Sequence, residues 1–70
     1  TSLFVELLEK PIEGRIALQT LRDDFYVVDE ERQIAIGKRT KRVFEIGDIR
    51  EVKLVSVDVF NGYIDFEFVE

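Results

Sequence analysis

The sequence predicts an all-β domain, a sandwich or small barrel of short strands, and three observations predict it. Residues Ile64, Phe66 and Phe68 alternate with Asp65 and Glu67, so one arm has a strict period of 2. A second apolar arm, Val52, Leu54, Val55, Val57 and Val59, precedes it across Asn61-Gly62, the dipeptide that best signals a tight hairpin. Five further short apolar stretches, spaced by turn residues, fill the rest of the chain.

Taken in order, Leu3 to Leu8 reads as a strand with Leu3, Val5 and Leu7 facing the core and Phe4, Glu6 and Leu8 facing out. Glu9-Lys10-Pro11 ends it, because proline cannot donate to a strand ladder. Gly14 to Leu18 is a second strand with Ile16 and Leu18 inward and Arg15 and Ala17 outward. A helix over Ile12–Leu21 is the alternative, which Gly14 and the lack of a 3.6-residue period weaken. Gln19 to Asp24 reads as a helical turn or loop. Phe25–Val28 and Gln33–Ile36 flank Asp29–Arg32 as a looser hairpin, closed by Gly37. Val43–Ile46 is a brief extended piece, and Gly47-Asp48 turns the chain into the long closing hairpin. In that hairpin the apolar positions shift from even to odd numbers at Leu54-Val55, which predicts a β-bulge there. Asn61-Gly62 predicts a two-residue type I′ turn, with positive φ at both positions.

Composition limits what the chain can do. Seventy residues make one domain. A charged fraction of 36% beside an apolar fraction of 46% describes a folded chain rather than a disordered one. No apolar run approaches the roughly 20 residues of a membrane-spanning helix. Without Cys or His, disulfides, the usual zinc sites and His-based acid–base catalysis are excluded. The lack of Cys fits a cytoplasmic setting. The chain opens on Thr1-Ser2 with no initiator Met and reads as a domain excised from a longer protein. Asp23-Asp24, or Asp65 with Glu67, are the carboxylate pairs that a hard cation would seek. Adjacent surface acids are usually only solvated, so neither catalysis nor a metal is assigned to this domain. The net charge of −5 argues against a general nucleic-acid surface, yet Lys38, Arg39, Lys41 and Arg42 cluster within five residues.

The residues also carry a resemblance. Leu3-Phe4-Val5-Glu6-Leu7, then Ile12-Glu13-Gly14, resemble the start of an S1-type RNA-binding domain. The middle is similar to one branch of it, the C-terminal S1 domain of bacterial ribonuclease R. It is carried by Asp23-Asp24-Phe25-Tyr26-Val27-Val28-Asp29-Glu30-Glu31-Arg32, Ile36-Gly37 and Val43-Phe44-Glu45-Ile46-Gly47-Asp48. Val57-Asp58 and Tyr63-Ile64-Asp65-Phe66-Glu67 match the same branch, so the resemblance covers nearly the whole chain. It implies a five-stranded OB-fold barrel that binds single-stranded RNA, here lacking a first strand that would precede Thr1. It also implies a parent protein that is a magnesium-dependent, hydrolytic 3′→5′ exoribonuclease. The parent's catalytic domain would be this domain's neighbour, and no cofactor is implied within the domain itself. A monomer is expected.

By the same resemblance, Phe4 matches the family's base-stacking aromatic. Tyr63 stands where the family often carries Arg or Lys, and can equally be a cross-strand packing residue. Asp58 matches the Val-Asp pair, and either meets a base edge or ribose hydroxyl or fixes the turn. The family's usual Phe-Gly is replaced by Thr1-Ser2, and its usual His by Ala17. Arg15, two residues from Ala17, can restore a phosphate contact or stack on a base. Lys53 extends the cationic path, with Lys38, Arg39, Lys41 and Arg42 as further phosphate contacts. RNA binding weaker than the family norm is expected, assisted by tethering beside a catalytic channel. The rival reading is a protein-interaction module on the same fold.

Overall fold

The computed structural model describes residues 2–69, and every regular element in it except one 3-10 turn is a strand. β1 (Ser2–Glu6), β2 (Glu13–Ala17), β7 (Tyr63–Phe68) and β6 (Val52–Asp58) form one sheet in that spatial order. β3 (Tyr26–Asp29), β4 (Ile34–Gly37) and β5 (Val43–Glu45) form a second, antiparallel sheet. The fold is all-β and consistent with an OB-type architecture. The middle of the chain adds a three-stranded sheet of its own, so the described residues hold seven short strands, where a five-stranded barrel lacking its first strand was expected.

β1 ends at Glu6, two residues earlier than the alternation suggests, and the hairpin to β2 closes through Leu7 N–H donating to the Ile12 carbonyl at 3.0 Å. Its faces fall as expected: Leu3, Val5 and Leu7 are half-buried, whereas Phe4 and Glu6 are exposed. On β2, Ile16 is fully buried and Leu18 begins the 3-10 turn Leu18–Thr20 rather than ending the strand. β2 then pairs in parallel with β7, with Arg15 opposite Asp65. Gly14 permits that approach. A Cβ there would overlap the Phe66 ring and lie 2.8 Å from the Ile64 carbonyl oxygen.

The closing hairpin has the expected bulge. The register passes from Leu54↔Phe66 to Ser56↔Asp65 and leaves Val55 without a partner. This extra residue restores the phase, so Val52, Leu54 and Val57 share the inner side and Lys53, Ser56 and Asp58 the outer. The turn differs from the one expected. Asp58 and Tyr63 are the last pair, so the loop has four residues, and of Asn61 and Gly62 only Gly62 takes positive φ, at 72°. The Asp58 carboxylate accepts from the Asn61 N–H at 3.1 Å and from its Nδ2 at 2.8 Å. Gly62 N–H donates to the Asp58 carbonyl at 2.8 Å. These bonds hold a longer loop in place of type I′, and put Val59 and Phe60 in solvent rather than in the strand.

The core lies between the sheets. Phe44 of β5 stacks on Phe68 of β7 with ring centres 4.8 Å apart, and meets Tyr26 of β3 at 5.5 Å. Leu18, Leu21 and Ala35 complete the buried cluster, against which Leu3 and Val28 pack. This layer does not reach the far end of β6, where Leu54 is 60% and Val57 55% exposed despite facing inward. β1 and β6 are the two edges of the larger sheet and do not pair with each other among the described residues.

Candidate nucleic-acid interface

The outer face of the four-stranded sheet brings together residues far apart in the chain. Register places Phe4 opposite Arg15, Arg15 opposite Asp65, and Asp65 opposite Ser56, one residue from each strand. At about 4.8 Å per strand this row is about 14 Å long. Tyr63 lies on the same side of β7, two residues from Asp65. Phe4 is 87% exposed, so its ring is presented to solvent and adds little to the core.

Arg15 is the centre of this face. Its Nε donates to Asp65 Oδ1 at 2.7 Å, and its guanidinium carbon lies 4.0 Å from the centre of the Tyr63 ring. The plane of positive charge therefore rests on an aromatic surface and is steered by a carboxylate. The hydrogen bond from Arg15 holds the Asp65 carboxyl below its usual range, helped by the Ser56 hydroxyl, which donates to Oδ2 at 3.1 Å. The same bond to Asp65 raises the Arg15 guanidinium above its usual value. Lys53 stands on this face opposite Glu67 and forms no ion pair among the described residues. Glu6 and Glu13 pair across β1 and β2 at one end, so the face mixes cations with acids.

Asp58 shares this face opposite Tyr63, whereas the basic loop lies apart from it. Asp58 spends its carboxylate on Asn61, which keeps it below its usual pKa, so it shapes the turn beside Tyr63. Ala17, where the family carries His, is paired with Ser2 at the end of the face; Thr1 lies outside the described residues. The basic loop sits on the second sheet, and two of its four cations are engaged internally. Arg39 donates to the Asp23 carbonyl at 2.8 Å, and Arg42 pairs with Asp23 Oδ2 at 3.2 Å while lying over Phe44. Lys38 and Lys41 form no ion pair among the described residues.

The carboxylates of Asp23 and Asp24 are likewise committed. Asp23 accepts from the Tyr26 hydroxyl at 2.9 Å; burial and that carboxylate both raise the phenol's pKa. Asp24 Oδ2 accepts from the Thr40 N–H at 2.7 Å, the Arg39 N–H at 2.8 Å and the Thr40 hydroxyl at 3.0 Å. These bonds, that from the Thr40 N–H foremost, lower the Asp24 pKa from 3.8 to about 2. Among the described residues no three metal-ligating side chains gather. Two participants escaped sequence reasoning. Asp65 read only as half of a surface carboxylate pair and Ser56 carried no signal, and only the parallel pairing of β2 with β7, 50 residues apart, joins Asp65 to Arg15.

A two-sheet β domain with exposed aromatics and a cation on one open face has the make-up of a small OB-type binding domain. The proteins it is similar to are ribonuclease R enzymes of bacteria. The chain is 48% identical over 68 residues to ribonuclease R of Thermotoga maritima, a match that takes in 97% of the chain and 9% of that protein. It is 42% identical over 67 residues to ribonuclease R of Aquifex aeolicus, taking in 96% of the chain and 10% of that protein. With ribonuclease R of Vibrio cholerae the identity is 36% over 67 residues, 96% of the chain and 8% of that protein. No protein-family model matches the chain. The chain is thus homologous to a segment of ribonuclease R, consistent with a C-terminal S1 domain, and spans about a tenth of the length of the curated relatives it matches. Among the described residues no helix is long and apolar enough to cross a membrane.

Proposed function

We propose that residues 1–70 form a single S1-type domain of a longer, ribonuclease R-like protein and bind single-stranded RNA on the outer face of the β1-β2-β7-β6 sheet. The observation that carries this reading is the row Phe4–Arg15–Asp65 with Tyr63 beneath the Arg15 guanidinium. An exposed ring beside a flat cation offers one surface for a base and another for a phosphate or a second base, which is how single strands are held without reading their sequence. Lys53 continues the path along the edge strand. The domain itself carries no catalysis. It holds substrate for a magnesium-dependent, hydrolytic 3′→5′ exoribonuclease domain in the same cytoplasmic chain, where tethering makes modest affinity sufficient. The domain acts as a monomer, and the unpaired edges of β1 and β6 are where a further strand of the parent chain would pair.

A second reading has one observation in its favour. Leu54, Val55 and Val57 leave an apolar stretch exposed along β6, a surface suited to docking another protein segment. Salt separates the two. Fluorescence anisotropy with a labelled oligouridylate, repeated from low to high salt, should give a log K that falls by about 0.7 per phosphate contact for each log unit of salt. Absence of RNA binding at low salt would overturn the RNA reading and leave the docking one.

A further inference from the structure

A second exposed aromatic stands apart from the face just described. Phe25 precedes β3 and is 81% exposed, yet its backbone is fixed on both sides. Its N–H donates to Asp24 Oδ1 at 2.7 Å, and its carbonyl accepts from the Lys38 N–H at 2.9 Å. The other Asp24 oxygen clamps the backbone of Arg39 and Thr40, so the segment carrying Phe25 and the basic loop are tied into one unit. The fit is close at Gly37, where a Cβ would lie 2.6 Å from Asp24 Oδ2 and 2.7 Å from Thr40 Oγ1. A large apolar ring held out in water on so constrained a backbone needs little further ordering to meet a flat partner.

The surroundings of that ring define the partner's chemistry. Phe25 borders a concavity of about 810 Å³, whose lining includes Leu18, Leu21 and Tyr26, with Arg22, Lys38 and Arg39 as its cations. Asp23 and Asp24 also border it, but their carboxylates face the internal donors described above. Arg22 and Lys38 form no ion pair among the described residues. An apolar floor with an exposed ring and unpaired cations at its rim suits a planar, apolar group joined to an anion. Leu18, which follows Ala17 where β2 ends, lines the concavity from the core side.

We propose that Phe25, with Arg22 and Lys38, forms a second contact for single-stranded RNA, in which one base stacks on the Phe25 ring and an adjoining phosphate meets the two cations. This extends the RNA reading above by placing a separate part of the same strand on the second sheet. Because Phe25 lies outside the core, its replacement leaves the fold in place.

The test is binding of a labelled 12-nucleotide oligouridylate to the 70-residue chain and to Phe25→Ala, Phe25→Tyr, Lys38→Ala, Phe4→Ala and the Phe4→Ala/Phe25→Ala double variant. Phe25→Ala should weaken binding about tenfold, as expected for loss of one stacked base. Phe25→Tyr should restore it. Lys38→Ala should lower the salt slope by about 0.7. The double variant should lose about the product of the two single losses, as separate contacts do. Wild-type affinity in both Phe25→Ala and Lys38→Ala, with a loss in Phe4→Ala, would overturn this inference and leave the outer face standing. A loss in Phe25→Ala with none in Phe4→Ala would support this site and remove the other.

Discussion

The Arg15 guanidinium carbon lies 4.0 Å from the centre of the Tyr63 ring, while its Nε donates to Asp65 at 2.7 Å. A cation held over a ring in this way is partly spent within the protein, yet keeps its remaining N–H groups for a ligand. Arg15→Gln should therefore lower RNA affinity and reduce the slope of log K against log salt by about 0.7, the share of one phosphate on a single strand. Binding measured at several salt concentrations checks this. An unchanged slope would remove Arg15 from the interface.

On the proposed reading Phe4 makes a different contribution, since stacking is nearly independent of salt. Phe4→Ala should reduce affinity by about 1–3 kcal/mol with the slope unchanged. Its melting temperature should barely move, because the ring is 87% exposed. Phe4→Tyr should bind as the wild type does. A Phe4→Ala variant that melts well below the parent would show a packing role in place of stacking.

Gly14 marks where β2 passes β7. Gly14→Ala must push the Phe66 ring aside, and should destabilise the fold by about 1–3 kcal/mol, read from urea unfolding. The Arg15–Asp65 pairing next to it should loosen together with the fold.

Phe44 joins the two sheets through Phe68 and Tyr26. Phe44→Ala should cost about 3–5 kcal/mol, as for other buried aromatics. In so small a domain that is enough to leave much of the chain unfolded at room temperature, which circular dichroism would register.

Asp24 gives the fold a defined acid response. Its carboxyl lies at 3.8 ordinarily and at about 2 here, so its contribution to folding is present above 3.8 and is lost as pH falls from there through about 2. The amide signals of Arg39 and Thr40 should hold steady from neutral pH to about 4 and titrate with a midpoint near 2. A midpoint near 3.8 would mean that the clamp does not form in solution.

What the sequence disclosed and what it hid divide along physical lines. Local patterns were legible. The alternation from Tyr63 to Phe68, the phase shift that became the Val55 bulge, and the outward position of Phe4 all follow from a period of 2. The turn was misread because Asp58 accepts hydrogen bonds from Asn61, a local competitor that Asn-Gly alone does not announce. Arg15 with Asp65 was not legible, because a parallel pairing across 50 residues leaves no local mark. The commitment of Arg39 and Arg42 to Asp23 was hidden in the same way, and made a basic run look freer than it is. Phe25 read as the first residue of a strand, whereas it stands just before β3 with its ring in water.

The central claim is tested most directly by titrating the isotopically labelled chain with a short oligouridylate at low salt, and repeating the titration at high salt. NMR shifts should centre on Phe4, Arg15, Lys53 and Tyr63 and shrink as salt rises. Shifts confined to Lys38–Arg42, or none at all, would contradict the claim.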